Sequence, residues 1–396
     1  MGGEAGCANA CPARATHPDP PPLFSLSLPP PFPPGNGLNA LAALDPSLGA
    51  TIEAGLLPDG PFVQYSADDP AVINFSAPSA AGIWAGLSRA TGHFPWFRLV
   101  EECAARLPAG VLRLDHALDR YEEDGDGVTV HTRTRGGKAN APIRAAVLVG
   151  ADGNLSGVRA ALLGDGHPTY TGLAVWRGQC DEPAGWQAAH GDNLLTGWGK
   201  GKFIMLVVSL GGRRLAWQCF APWPATRLGE LASARVTDAE ATSRADDAKR
   251  DRCLEVHAGF PAEALALIQS TPAASITEHP QGFREPAACR VWGAGRVTLA
   301  GDAAHLATPF LGQGTGQALE DAVELARAVA SPLGATPAAL RAYEAARVPL
   351  ASAVQAGSVA LAKEVAAGGK AGERAWYAEH PEVLGREPAP LVGTGA

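Results

Sequence analysis

Two stretches carry residues whose types and spacing suit chemistry. In VLVGADGNLSGVR (147–159) and VTLAGDAAHLATPFLGQG (297–314) an apolar run ends in glycine, and an aspartate stands at or just beyond its carboxyl end. Ligands of open α/β sheets bind outside the carboxyl ends of the strands, so Asp152 and Asp302 sit where a ligand would lie. An aspartate there accepts hydrogen bonds from sugar hydroxyls, and a following helix N-terminus faces phosphate or another electron-rich group. Gly312, Gly314 and Gly316 leave no side chain in the way of a flat ligand approaching the amides that open the next helix. Nothing about core packing asks for GQGTG at a helix start. Each loop suits a nucleotide-type cofactor, although taken singly Asp-Gly is a common turn and Gly-Asp-Ala-Ala also suits a helix cap.

The elements that must position these loops are legible around them. AAVLVG (145–150) is apolar throughout, which predicts a strand covered on both faces and hence a mixed or parallel central sheet. Upstream, LNALAALDPSLGATIEAG has the spacing of a short helix ended by glycine, and GPFVQYSADDPAVINFSA reads as two strands around a turn at 68–70. WFRLVEECAARLPAG (96–110) is an amphipathic helix; LDRY and VTVHTRT flank an Asp-Gly turn and predict a hairpin. From 170 to about 281, FIMLVVSL and LAWQCFAPW lie among tryptophans, followed by a helix near DAKRDRCLEVHAGF. That pattern predicts an antiparallel sheet with a covering helix, a second module inserted in the chain. AALRAYEAARVPLASAVQAGSVALAKEVAA then makes a long alanine-rich helix.

Composition narrows the class. With 396 residues, 46% hydrophobic and 18% charged, the chain has the balance of a soluble globular protein. A net charge of −8 without a basic cluster argues against nucleic acid as a partner, while small anionic ligands stay open. The longest apolar run, 203–210, falls far short of the roughly 20 residues of a membrane helix, so no transmembrane span is expected. Seven scattered cysteines and no secretory h-region point to a reducing compartment, the cytoplasm or an organelle stroma or matrix. Cys7, Cys11 and His17 have metal-like spacing, but no second ligand pair follows, and no metal site is expected. GNLSG is not G-x-S-x-G, so Ser156 is not read as a hydrolase nucleophile.

Taken together, the motifs resemble those of the flavin-dependent aromatic hydroxylases, the single-component FAD monooxygenases, and in particular the zeaxanthin epoxidase and salicylate hydroxylase-like branch. GADGNLSGVR resembles that family's Asp-Gly motif and GDAAHLATPFLGQGTGQALEDA its Gly-Asp motif; YTGLAVWRG and LRAYEAARVP extend the similarity over about 35–365. The resemblance implies an α/β (α+β) fold, a Rossmann-like FAD-binding domain with an inserted antiparallel-sheet substrate domain. It divides the chain into a proline-rich segment (1–35), FAD-binding parts at 36–55, 93–168 and 282–368, substrate-domain parts at 56–92 and 169–281, and a tail (369–396). It also implies an NAD(P)H-dependent monooxygenase that takes FAD, O2 and a small apolar or aromatic substrate. Asp302 would hold the ribityl chain, and Pro309, Gly312, Gln313 and Gly314 would line the isoalloxazine. Asp152 and Gly153 would lie near the pyrophosphate and NAD(P)H. His305 would pack rather than transfer protons, and Glu320 and Asp321 would serve helix electrostatics and caps. Trp176, Trp198, Phe203 and Trp217 are the aromatics available to line a substrate pocket, with sheet core as their ordinary alternative.

One part of the pattern is missing. The family opens with a strand, G-x-G-x-x-G and a helix, whereas here HPDPPPLFSLSLPPPFPPG stands in that place and Gly35-Asn36-Gly37 lacks both the preceding strand and a third glycine. Trp96 stands where an arginine usually opens the next FAD-domain helix, with Arg98 nearby as a substitute. The expectation is therefore an N-terminally incomplete version of a working monooxygenase. The alternatives are a degenerate relative that binds FAD weakly or not at all, and another flavoenzyme, a reductase or halogenase. Oligomeric state is not legible.

Overall fold

The computed structural model describes residues 35–58, 62–66, 73–76, 92–186, 194–199, 202–209, 213–231, 239–260, 262–367, 376, 377, 379, 380 and 383. The proline-rich segment, Cys7, Cys11, His17 and the 68–70 turn lie outside these residues, as do the side chains of Trp198 and Phe203. Two short helices come first, Gly35–Leu44 and Pro46–Ala54. The single helix expected there is split because Asp45 caps the second, accepting from Ser47 N (2.8 Å) and Leu48 N (3.1 Å), with Pro46 preset for the first turn. The strands, in chain order, are β1 (Leu57–Pro58), β2 (Phe62–Ser66), β3 (Ile73–Ser76), β4 (Gly92–His93), β5 (Ala117–Glu123), β6 (Val128–Arg133), β7 (Ile143–Ala145), β8 (Leu148–Gly150), β9 (Thr169–Asp181), β10 (Leu194–Gly199), β11 (Lys202–Ser209), β12 (Arg214–Pro222), β13 (Thr277–Phe283), β14 (Gly293–Ala294) and β15 (Val297–Leu299).

They form two working modules. A seven-stranded sheet in the order β13-β9-β12-β11-β10-β2-β3 is antiparallel except where β10 lies parallel to β2. Helices Ala239–Val256 and Ala262–Ser270 cover one of its faces. Beneath them Trp176, Trp217 and Trp223 are buried with Leu267, Ile268 and Ile276. Each indole takes about 200 Å² out of water, on the order of 5 kcal/mol of gross stabilisation. The other module holds a small sheet, β14-β15-β8, packed on helices Gly157–Leu163, Gly314–Ala330 and Pro337–Ala366, and beside it the antiparallel β5-β6-β7 meander.

The apolar run 145–150 departs from its expected form. It is two strands in two sheets: Ala145 pairs with Val128 in the meander, whereas Leu148 donates from its N–H to Arg296 O at 2.9 Å beside the parallel β8–β15 pair. The Arg296 guanidinium holds the crossover by donating to Ala146 O (3.1 Å). Among the described residues β8 is the last strand of its sheet, and Leu148 and Val149 are half-buried rather than covered on both faces.

Candidate functional site

The two aspartate loops lie far apart in the chain and become neighbours in space because β8 and β15 run parallel, with Leu299 opposite Gly150. Ala300 N–H donates to Gly150 O (2.9 Å), so both loops leave the same carboxyl edge of one sheet. Gly150 is fixed by packing: a Cβ there would fall 2.6 Å from the Val158 Cβ and 2.8 Å from Leu299 Cδ2.

The loops differ in what their carboxylates do. Asp152 is spent on its own chain, accepting from Gly157 N (2.8 Å) and Val158 N (3.2 Å) and from the Ser156 hydroxyl, which itself caps Arg159 N at 2.9 Å. It is a helix-capping residue. The open position beside it is Gly153, at φ +80° and with no atom within 4 Å of where a Cβ would stand. Asp302 has no hydrogen-bond partner among the described residues. Its side chain is exposed, yet the surrounding protein screens it from enough water to raise its pKa above the ordinary carboxylate value, partly offset by His305. An exposed carboxylate with no partner among the described residues is available to a ligand.

Beyond Asp302 the chain makes a turn at Pro309–Leu311, passes Gly312 at φ +63° and opens helix Gly314–Ala330, where the Gln313 side chain makes no capping bond. A Cβ on Gly314 would meet nothing within 4 Å. A helix start without a side-chain cap and an open glycine leave backbone N–H donors available to an electron-rich ligand beside the Asp302 carboxylate. The Gln313 side chain is turned away from that space: it is buried, accepts from Asn36 Nδ2 (2.8 Å) and donates to the Tyr377 hydroxyl (3.1 Å). Only its backbone is left to face a ligand. Gly316 also has a packing reason, contrary to expectation, because a Cβ there would fall 2.8 Å from Asn36 Nδ2.

A buried ionic network holds this loop. Asp321 Oδ2 accepts from Gly301 N (2.8 Å) and from His305 Nε2 (2.7 Å), and its Oδ1 accepts from Arg347 Nε (2.8 Å). Arg347 also donates to Glu320 (2.6 Å) and Gln317 (2.7 Å), and Asn36 donates to Glu320 (2.8 Å). Burial pushes the Asp321 pKa up, but His305 and Arg347 outweigh it and leave it below the ordinary value. Glu320 and Asp321 are therefore the anchors of the loop rather than helix caps, and His305 is a packed member of the same network. Arg159, fully buried, ties the loops together by donating to the carbonyls of Ala303 and Ala304 at 3.0 Å each.

The seven-stranded sheet meets this loop with one face. Phe220 of β12 packs on Phe310, ring centroids 5.5 Å apart. Strand alternation then puts Gln218 on the loop side and Trp217, Cys219 and Ala221 on the helix-covered side. Trp176 and Trp217 are fully buried there, their indole N–H groups donating to Glu278 (2.9 Å) and Thr271 (2.8 Å), so they pack the core on the far face. The loop-side face carries residues that the aromatic pattern does not reveal. Arg177 donates to Gln218 (3.4 Å) and lies 3.3 Å from His279, and no carboxylate pairs with it among the described residues. Burial pushes the Arg177 pKa down to about 10 and, with the neighbouring Arg177 charge, that of His279 down to about 3. Arg98 is exposed on helix Trp96–Ala105 and makes no side-chain bond among the described residues.

A parallel strand pair with both acidic loops at one edge, joined to a large antiparallel sheet, defines a nucleotide-cofactor fold with a separate sheet module. Residues 97–358 match the FAD binding domain family, and the chain belongs to it. Among curated relatives, it is 39% identical over 212 residues to an aurachin C monooxygenase/isomerase of Stigmatella aurantiaca, covering 54% of this chain and 49% of that protein. It is 30% identical over 253 residues to a 6-hydroxynicotinate 3-monooxygenase of Bordetella bronchiseptica, covering 63% and 60%. The chain thus spans about half the length of the curated relatives it matches. Klebsiella pneumoniae HpxO complexed with FAD and uric acid has the same fold, with a TM-score of 0.66 at 24% identity over 89% of this chain and 86% of that one. Among the described residues no helix is long and apolar enough to cross a membrane.

Proposed function

We propose that the chain binds FAD and acts as an NAD(P)H-dependent monooxygenase on a small apolar or aromatic substrate. The observation that carries this reading is Asp302, an exposed carboxylate without a hydrogen-bond partner among the described residues, at the shared edge of two parallel strands in a FAD-binding-domain chain. Bound FAD supplies the redox chemistry, in which two electrons from NAD(P)H and one O2 give an oxygenated substrate and water. Asp302 accepts hydrogen bonds from ribityl hydroxyls. Pro309, Gly312 and the helix-opening amides at Gln313 and Gly314 line the ring and favour negative charge developing there. Gly153, next to the capping Asp152, gives backbone access for the pyrophosphate and NAD(P)H, with Arg98 available to a phosphate. Phe220 and Phe310, both buried, form the apolar backing of the substrate side. Arg177 supplies a donor, so a substrate bearing an acidic or carbonyl oxygen fits this face better than a plain hydrocarbon.

The test is titration of purified chain with FAD, followed by NADH or NADPH oxidation with aromatic acids and phenols, and detection of oxygenated product. Saturable flavin binding with substrate-dependent, product-coupled oxidation is the expected result. Absence of flavin binding by folded protein would select the non-catalytic alternative, and reductant consumption with no oxygenated product the reductase or halogenase alternative.

A further inference from the structure

On the helix-covered face of the seven-stranded sheet, the side opposite the Gly-Asp loop, two cysteines and a histidine meet. The sulfurs of Cys219 and Cys253 and a ring nitrogen of His257 all lie within 4.8 Å of one another, and all three residues are fully buried. The arrangement has a structural cause. Cys253 and His257 are one helical turn apart, and His257 N–H donates to Cys253 O (3.2 Å), so the last turn of helix Ala239–Val256 continues and sets both side chains on one side. Cys219 comes up from β12, opposite Trp176 in register. The imidazole is held close to the thiols: its Nδ1, 3.7 Å from Cys253 Sγ, donates to Cys253 O (2.6 Å), so to ligate a metal through this nitrogen the ring gives up that bond and moves its proton to Nε2. Trp176 and Phe260 fix its plane, with ring centroids at 5.8 and 5.3 Å.

We propose that Cys219, Cys253 and His257 form a binding site for one thiophilic divalent cation, zinc(II), that clamps helix Ala239–Val256 to the sheet. Thiolates and imidazole are the ligands of borderline-soft metals and not of magnesium or calcium. Charge favours zinc(II) over copper(I). Two thiolates and a neutral imidazole cancel the charge of a divalent ion, whereas a monovalent one leaves a net negative charge in a core where charge is costly. Binding replaces two S–H protons by two Zn–S bonds, releases both protons and involves no redox change. Donors around a tetrahedral zinc sit about 3.5–3.8 Å apart, so a small contraction of the cluster suffices. The fourth position is left to a small ligand such as water. Because the site is sealed, the metal enters while the chain folds.

The experiment expresses the full chain in medium supplemented with zinc or with cobalt and measures metal content by mass spectrometry after exhaustive dialysis. Expected are about one metal ion per chain, thiolate-to-cobalt charge-transfer absorption, and at least a roughly tenfold lower occupancy in Cys219→Ser and His257→Gln. Cys7→Ser with Cys11→Ser should leave occupancy unchanged. The variants need not fold for the idea to be tested: wild type refolded with zinc should melt higher than wild type refolded with a chelator. The proposal is overturned if folded wild type carries no metal under supplementation, if zinc leaves its melting point unmoved, or if Cys219→Ser and His257→Gln keep full occupancy.

Discussion

Replacing Asp302 by asparagine removes a charge that no hydrogen bond of the described protein uses, so the fold should be indifferent to it. The expected outcome is a melting temperature close to that of wild type and FAD affinity weakened roughly tenfold, about 1.4 kcal/mol, by flavin fluorescence titration. Unchanged affinity would remove Asp302 from the cofactor site. Gly316→Ala should do the opposite, since its methyl meets Asn36 and not the ligand space. It should cost about 1–3 kcal/mol of stability, and less in an Asn36→Ala background, which a double-mutant cycle by chemical denaturation measures. Asp302 is legible in the sequence because strand, glycine, loop and helix follow one another within a few residues. Asn36 and Arg159 are not, since their partners lie 277 and 144 residues away, beyond the reach of any local period.

Between elements, the ionic network makes helix Gly314–Ala330 and helix Pro337–Ala366 one support for the loop. Arg347→Met leaves Glu320 buried without its cation and Asp321 with His305 alone, and should cost about 3–5 kcal/mol, seen as a fall in melting temperature. Adding Asp321→Asn and Glu320→Gln should recover much of it. Acid acts on the same support: Asp321 has a depressed folded pKa, so its contribution is present above the unfolded value near 4 and lost as pH falls towards the folded one. On the sheet, His279 acts over a different window. Its folded pKa, about 3, lies below the unfolded value of about 6.5, so between these pH values the unfolded chain binds the extra proton and stability drops as pH falls. The slope is at most about 1.4 kcal/mol per pH unit, and His279→Gln should flatten melting temperature against pH between about 6 and 4. The two faces of β9 and β12 are legible as alternation. Which face meets the loop is not, because that is set by Phe220 on Phe310, a contact between modules.

At the scale of the molecule, the division into a cofactor module and an inserted sheet module follows from texture alone: apolar glycine-ended strands in one, alternating aromatic strands in the other. The split of 145–150 between two sheets does not, since an apolar run is the same in either and only its pairing with Val128 or Arg296 decides. The segment read as tail likewise returns to the fold. Tyr377 is buried, donates its hydroxyl to Leu311 O (2.5 Å) and receives the Gln313 amide, while Trp376 fills the space that Gly357 leaves open. Trp376 and Tyr377 are thus a latch on the turn proposed to carry the flavin ring. Handling this protein at its carboxyl end is therefore not neutral: a deletion after Ala367 should weaken FAD retention several-fold without altering one residue proposed to face the cofactor, and flavin content after gel filtration would register it.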